Sequence, residues 1–331
     1  MEDHKDPTPS SIVDPVAPHP GRRAVIDIGT NSVKLLVADV TDEDVVPVLE
    51  KSKQTRLGRG FYETHLLGAE AISATAEAVA IFAEQASESG AAHVRVIATS
   101  AARDALNAAD LIAAIQSSAG LPVEIISGEQ EADWVFHGVA SDRKLAGMPL
   151  LILDVGGGST EFILGEGENQ YFRNSYRLGT VRLLEQLRPG DPPGAEALSR
   201  CRRWLKEFIE TKIAPELDGS LKEFGGNARL VGTGGTTTIL ARMEHQMSGF
   251  DREKIEATRL TLPQVCSHVE RHWTMSLDER KKIIGLPPNR ADVILTGLAI
   301  YEAVMNCLGF DELRISTRGL RYAAVGLAPS R

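Results

Sequence analysis

The sequence predicts an α/β protein made of two similar domains that face each other across a cleft. Short apolar strands alternate with helical patterns along 331 residues, a length that suits two domains better than one core. An aspartate–glycine hairpin near residue 27 recurs near residue 154. The two copies lie about one domain length apart, so each domain would begin with one hairpin.

The composition is that of a soluble globular protein. The formal net charge of −9 argues against broad binding to nucleic acids or to anionic membranes. Three widely spaced cysteines favour a reducing compartment, and we expect a cytoplasmic protein. No apolar run approaches the ~18 residues of a membrane span, and no signal peptide is recognisable. The proline-rich residues 1–21 predict a disordered tail.

In the first half, alternation, helical spacing and turn residues predict the elements in order. Ile72, Ala76, Val79 and Ala83 repeat at helical spacing, and Gly90 ends that helix. The predicted strands are 24–28, 33–40, 45–49, 94–98 and 123–126, and the predicted helices are 69–89, 109–118 and 129–139.

The second half repeats this pattern and extends it. Its predicted strands are 149–155, 161–164, 229–231 and 312–316, and its predicted helices are 195–213, 262–272, 277–284, 291–308 and a last one from residue 319. We expect the last helix to return to the first domain. The first domain would then comprise 22–131 plus 316–331, and the second 132–315.

The repeat itself is a phosphate and metal motif. Segment 26–37 aligns without gaps to segment 153–164, and each copy reads strand, Asp, Gly turn, Ser, strand. Glycine lets successive N–H groups of a tight turn point the same way and cradle an anion. Asp27 and Asp154, on opposite walls, would hold a hard cation such as Mg²⁺.

The predicted substrate-binding residues come from three glycine turns. The third turn opens a helix, whose N-terminus attracts phosphate. The residues are Gly29, Thr30, Asn31 and Ser32 in the first turn, Gly156, Gly157, Gly158, Ser159 and Thr160 in the second, and Gly234, Gly235 and Thr236 in the third.

Nine segments together resemble the exopolyphosphatase/guanosine pentaphosphate phosphohydrolase (Ppx/GppA) family of the actin–hexokinase superfold. They are 24–40, 55–60, 98–107, 126–139, 154–162, 175–185, 231–241, 290–300 and 316–325. The resemblance implies duplicated actin–hexokinase-like (ribonuclease H-like) domains. It also implies that Glu131 activates the attacking water, with Glu129 as a rival, and that Asp154 and Glu161 lie near metal and phosphate.

The function that this resemblance implies is Mg²⁺-dependent exopolyphosphatase activity, which releases orthophosphate from polyphosphate. Guanosine pentaphosphate remains an alternative substrate, and a phosphotransferase or a non-catalytic polyphosphate or nucleotide sensor remain alternative classes. Long family members continue into a further helical region that this sequence lacks, so we expect short substrates or a channel completed by a homodimer.

A polyanion needs cations along its path. We expect Arg103 and Arg177 to bind substrate, and two or three of a wider set to line the cleft, with Lys34 as a further candidate. The wider set adds Arg59, Arg182, Arg290 and Arg318.

Overall fold

The computed structural model describes residues 19–42 and 44–327, and its strands form two separate sheets. The strands are β1 His19–Ile28, β2 Ser32–Val40, β3 Val45–Gln54, β4 Ala91–Ala98, β5 Val123–Ile125, β6 Pro149–Val155, β7 Thr160–Glu166, β8 Asn169–Tyr176, β9 Arg229–Thr233, β10 Arg259–Thr261 and β11 Glu312–Ile315. The first sheet has the order β3-β2-β1-β4-β5, and the second has the order β10-β11-β9-β6-β7-β8.

The helices cover the faces of these sheets. They are α1 Phe61–Thr64, α2 Ala69–Glu88, α3 Ser100–Asp104, α4 Ala108–Ala119, α5 Gly128–Ala140, α6 Thr180–Leu187, α7 Gly194–Phe208, α8 Ala214–Glu223, α9 Gly234–Glu244, α10 Arg252–Ala257, α11 Leu262–Thr274, α12 Leu277–Arg280, α13 Ile294–Leu308 and α14 Leu320–Gly326. A π-helical turn, Ile209–Ile213, joins α7 to α8, and a 3₁₀ turn, Pro288–Arg290, precedes α13. Within the described residues, no helix is long and apolar enough to cross a membrane.

The two sheets are copies of one arrangement, which confirms the predicted α/β duplication. In the first sheet, the antiparallel hairpin β1–β2 is flanked by β3 and by the parallel strand β4. In the second, the antiparallel hairpin β6–β7 is flanked by β8 and by the parallel strand β9. The two hairpins also share one register, because Asp27 pairs with Lys34 and Asp154 pairs with Glu161.

Two helices pack between the sheets. An apolar cluster joins Val25 and Leu36 of the first sheet to Ile152 and Ile163 of the second, through side chains of α5 and α14. Helix α5 lies very close to the backbone segment that precedes α14. A Cβ atom at position 138 would lie 2.1 Å from the carbonyl oxygen of Gly319. Only glycine at 138 allows this approach, which fixes the separation of the two sheets.

Several predicted elements differ from the structure. The prediction missed α1, α3, α6, α8, α10 and β10, and it set no bounds for β8. The predicted helix 277–284 is wrong beyond Arg280, because this buried side chain turns inward and donates to the carbonyl oxygens of Met275 and Ala291. Gly285, at φ +93°, completes the turn away from the helix.

The limits of the ordered region also differ. The strand β1 begins at His19, so the predicted disorder is wrong for residues 19–21, while residues 1–18 lie outside the described residues. The division into domains at 22–131 plus 316–331 and at 132–315 stays a prediction, and residues 328–331 also lie outside the described part.

Candidate active site

The two hairpin turns meet at one cavity between the sheets. Gly157 packs against Thr30, since a Cβ on Gly157 would lie 2.9 Å from the Thr30 Cβ. The predicted residues that line the cavity are Asp27, Gly29, Thr30, Asn31, Ser32, Glu131, Asp154, Gly156, Gly157, Gly158, Ser159, Glu161, Gly234, Gly235 and Thr236. Sequence positions about one domain length apart therefore share a single site.

Carbonyl groups of both turns are held away from the cavity. The carbonyl oxygen of Thr30 accepts from the N–H of Gly58 at 2.7 Å, and that of Gly157 accepts from the N–H of Val181 at 2.9 Å. In a trans peptide the N–H points opposite to the carbonyl, so the next N–H groups, of Asn31 and Gly158, face the cavity. Within the described chain, no hydrogen bond uses either N–H. They are donors available to an anion.

The aspartates lie side by side with their cross-strand partners. Residues opposite each other on an antiparallel pair share one face of the sheet, so Asp27 lies beside Lys34 and Asp154 beside Glu161. Burial raises the pKa of Asp27 and of Asp154, while the charge of Lys34 opposes both shifts. Burial also lowers the pKa of Lys34. The cavity thus concentrates ionisable groups that water does not solvate.

Glu131 is the acid with the most distinctive surroundings. It lies near the start of α5, is 8% exposed, and its Oε2 accepts from Nη1 of Arg103 at 2.9 Å. Burial raises its pKa to about 7, against the opposing effect of Arg103. A carboxyl group with such a pKa is suited to take a proton at neutral pH.

Glu161 is buried next to Glu131. Ser175 Oγ donates to Glu161 Oε1 at 2.7 Å. Burial raises the pKa of Glu161 well above its usual value, and the negative charge of Glu131 adds to that effect. The two carboxyl groups therefore influence each other's ionisation. Glu129, by contrast, is exposed on α5 and is not among the cavity residues, which favours Glu131 as the base.

Two cations face the cavity without an ion pair. Among the described residues, neither the ammonium of Lys34 nor the guanidinium of Arg290 makes a salt bridge or a hydrogen bond, and both line the cavity. Burial lowers the pKa of Arg290 to about 10. The negative charge of Asp292 favours the charged form of Arg290. The Asp292 carboxylate, however, forms an ion pair with Arg56, at 3.1 Å. Partly buried charges of this kind are stabilised when an anion binds.

The third glycine turn brings α9 to the same cavity. Gly234 has φ +85°, and a Cβ there would lie 2.3 Å from Oδ1 of Asp154. The side chain of Thr233, which precedes α9, does not cap the helix but donates to the carbonyl oxygen of Arg318 at 2.6 Å. The first N–H groups of α9 therefore stay open towards the cavity.

Some predicted residues do not line the cavity. The hydroxyl of Thr160 donates to the carbonyl oxygen of Leu178, and the side chain of Arg177 is 75% exposed, 3.6 Å from Asp104. Arg103 is not among the cavity residues but forms an ion pair with Glu131, which is. Arg318 turns to Ser141 and Asp44. Of the six arginines in the wider set, Arg290 alone belongs to the described cavity wall.

Other cavity residues were missed by sequence reasoning. They are Thr99, Ser100, Thr180, Thr233, Thr317, Arg321 and Tyr322, together with several apolar side chains. Arg321 comes from α14 and donates to the carbonyl oxygen of Leu35 at 2.9 Å. Ser100 and Arg321 lie within two of the segments that resemble the family. That resemblance is the sequence feature that could have identified them as cavity residues.

The residues present fit a hydrated divalent cation beside phosphate. Asp27 Oδ1 is a buried acceptor without a hydrogen-bond partner within the described residues. Ser32 Oγ and Asn31 Nδ2 are also buried and also have no hydrogen-bond partner there. No cluster of three or more His, Cys, Asp or Glu able to hold a metal occurs in residues 19–42 and 44–327. The protein ligands would thus be Asp27 and Asp154, with the remaining ligands from water and substrate oxygens.

Comparisons with known proteins agree with this geometry. Residues 36–325 match the model of the Ppx/GppA phosphatase family. The chain is 34% identical over 310 residues to exopolyphosphatase 2 of Mycobacterium tuberculosis, covering 89% of this chain and 94% of that protein. It is 29% identical to a guanosine-5'-triphosphate,3'-diphosphate pyrophosphatase of Vibrio cholerae, covering 91% of this chain and 58% of that protein.

A solved structure shows the same fold. The Ppx/GppA family member of Aquifex aeolicus superposes with a TM-score of 0.75 at 30% identity, covering 92% of this chain and 96% of that chain. This likeness confirms the predicted duplicated fold.

Proposed function

This chain belongs to the Ppx/GppA phosphatase family, and from that premise we propose that it is an exopolyphosphatase. It hydrolyses the terminal phosphoanhydride bond of inorganic polyphosphate and releases orthophosphate. The 34% identity to exopolyphosphatase 2, over nearly the whole length of both proteins, supports this substrate.

One observation carries the proposal. Two anion-binding turns, two aspartates and the Glu131–Glu161 pair converge on one cavity. Hydrolysis of an anhydride needs charge neutralisation on the phosphoryl oxygens and a group that orients water. The N–H groups of the turns, with Lys34 and Arg290, supply the first requirement. Glu131 supplies the second.

The reaction then follows from the positions of these groups. Glu131 accepts a proton from water, whose oxygen forms a bond to the terminal phosphorus. The bond between that phosphorus and the bridging oxygen breaks, and the electron pair stays on the shortened polyphosphate. Arg103 orients the Glu131 carboxylate, and the buried setting keeps other water away.

We propose Mg²⁺ as the cofactor, held by Asp27 and Asp154. A divalent cation at this place would neutralise non-bridging oxygens of the terminal phosphates. The unpartnered Asp27 Oδ1 supports it as a ligand. A cytoplasmic location and a homodimer stay predictions, and the dimer is checked by light scattering of the purified chain.

Guanosine pentaphosphate is the second candidate substrate, favoured by the match to the Vibrio cholerae relative. It presents a terminal anhydride, as polyphosphate does. The chain spans 58% of that relative, whereas it spans 94% of exopolyphosphatase 2, and for this reason we propose polyphosphate as the first candidate.

A phosphate-release assay tests the proposal. Purified protein is given polyphosphates of several chain lengths and guanosine pentaphosphate, each with Mg²⁺ or with EDTA and without any acceptor. We expect Mg²⁺-dependent orthophosphate release that is fastest on polyphosphate. Faster turnover of guanosine pentaphosphate would replace the first candidate by the second, and release only with an added acceptor would indicate a phosphotransferase.

A further inference from the structure

The second hairpin turn depends on α6 for its shape. Thr180 N–H donates to the carbonyl oxygen of Gly156 at 2.9 Å, and Val181 N–H donates to that of Gly157 at 2.9 Å. These two hydrogen bonds use only the backbone, and they hold two successive carbonyls away from the cavity. Any sequence that keeps the start of α6 keeps them.

The third carbonyl of the turn is held differently. The carbonyl oxygen of Gly158 accepts from Nε of Arg182 at 2.8 Å. Because the carbonyl and N–H of a trans peptide point in opposite directions, this contact aims the N–H of Ser159 at the cavity. No hydrogen bond within the described residues uses that N–H. Its direction therefore rests on one side chain.

Arg182 is in turn held by the other half of the molecule. Its Nη2 lies 3.0 Å from Oδ2 of Asp104, at the end of α3, and both side chains are largely buried. Its guanidinium lies over the ring of Tyr62 in α1, 4.1 Å from the ring centroid. The same tyrosine hydroxyl abuts Gly158, since a Cβ there would lie 2.4 Å from it.

We infer that Arg182 is a positioning residue that completes the anion cradle only when the two halves are closed. Arg182 is not among the residues that line the cavity, so it acts on substrate only indirectly. It acts through the Ser159 peptide, and Asp104 and Tyr62 fix its orientation from across the cleft. Closure of the two halves therefore also aligns the N–H of Ser159 with the cavity. This inference rests on the proposed function for its kinetic test.

Steady-state kinetics of Arg182→Ala on polyphosphate test the inference. Removal of a donor to a developing charge lowers turnover by ~10²–10³-fold. The Ser159 N–H is loosened rather than removed, so we expect kcat to fall about 10- to 100-fold while KM changes by less than about threefold. Asp104→Asn keeps the contact to Gly158 and should lose less activity than Arg182→Ala.

Arg173→Ala is the matched control. Arg173 Nη1 also forms an ion pair with an aspartate at 3.0 Å, Asp133, but it lies on the exposed side of β8 outside the cavity. We expect its kinetics to match the wild type. Methylguanidinium in the assay should restore part of the kcat of Arg182→Ala and leave Arg173→Ala unchanged.

Three results would overturn the inference. The first is a kcat of Arg182→Ala within twofold of the control. The second is a loss of activity that methylguanidinium does not restore and that parallels a lower melting temperature, since that pattern assigns Arg182 to stability. If Arg182→Ala does not fold, Arg182→Lys replaces it, because lysine can reach Asp104 or the carbonyl but not fork between them. Full wild-type kcat of Arg182→Lys is the third.

A separate measurement keeps this test distinct from the proposed function. If the wild type releases no phosphate from polyphosphate, the proposed function fails. The positioning role is then tested by the binding of orthovanadate, which mimics the phosphoryl group in transfer. The measured quantity is the rise in melting temperature that orthovanadate causes in the presence of Mg²⁺. We expect that rise in the wild type and in Arg173→Ala, and a smaller one in Arg182→Ala. An equal rise in all three proteins overturns the positioning role.

Discussion

Gly157 and Thr30 are in direct contact across the cleft, with the missing Cβ of Gly157 only 2.9 Å from the Cβ of Thr30. The two hairpin turns therefore touch in this structure. We therefore expect the halves to separate before a polymer end reaches the cavity, as in other enzymes that close over their substrates.

Gly157→Ala should hinder this closure. The added methyl cannot fit against Thr30, so the turns would be pushed apart and the donors would lose their alignment. We expect kcat on polyphosphate to fall at least about tenfold with little loss of melting temperature. Gly147→Ala is not a fair control because Gly147 has φ +72°. Gly68, with open space around it, is suitable. Equal kcat in the two alanine variants would contradict the prediction.

Glu131→Gln should remove the base while keeping the size of the side chain. A general base contributes ~10²–10⁴-fold, so we expect a loss of that order in kcat. Glu129→Gln, on the same helix but exposed, is the control and should keep wild-type turnover. Phosphate release by both variants decides between the two acids. The assignment fails if Glu129→Gln is the inactive variant.

The pH dependence follows from the raised pKa of Glu131. The carboxylate form accepts the proton, so kcat/KM should fall as pH drops below about 7. The stability of the fold should depend on pH in the opposite direction. The folded-state pKa lies above the usual 4.5, so this group's contribution to stability is fully present below pH 4.5 and is lost as pH rises through 7. Melting temperatures from pH 5 to 8 should therefore fall more in the wild type than in Glu131→Gln, and parallel curves would refute the shift.

Arg290→Ala should not destabilise the ligand-free protein. Arg290 has no ion pair or side-chain hydrogen bond within the described chain, and burial disfavours its charge. We expect a melting temperature equal to or above that of the wild type, with KM for polyphosphate raised about tenfold or more. Arg280→Ala gives the contrast, because Arg280 donates to Ala291 and Met275 carbonyls and its loss should lower the melting temperature. A similar decrease in both variants would show that Arg290 is structural.

Asp27→Asn should alter the metal dependence. The substitution removes a buried carboxylate whose Oδ1 has no partner, so the fold should be retained. We expect the Mg²⁺ concentration for half-maximal activity to rise at least about tenfold. The matched control is Asp218→Asn, since Asp218 lies on α8, outside the cavity. Mg²⁺ titrations that coincide with the wild type would remove Asp27 from the metal site.

The hairpins were predictable because their signal is local. An aspartate that ends a strand, a glycine turn and a returning strand fall within a dozen residues, and the second copy removes most of the ambiguity. The helix 69–89 was equally accessible, since Gly90 ends the periodic pattern and α2 covers Ala69–Glu88.

Other features depend on contacts between distant parts of the chain. Helix α6 is short, and its register is set by the carbonyls of Gly156 and Gly157, which no local pattern reveals. Which arginines face the cavity is decided by such contacts as well. Arg177 and Arg182 lie in one matched segment, yet the first is exposed and the second supports a turn.

The pairing of Asp27 with Lys34 and of Asp154 with Glu161 makes the duplicated site chemically one-sided. Two identical hairpins would give a bound phosphate two equivalent faces for attack by water. Here the first hairpin carries one acid and one base, whereas the second carries two acids, so the two faces of the site differ in charge. A symmetric backbone thus presents an asymmetric distribution of charge to whatever lies between the hairpins.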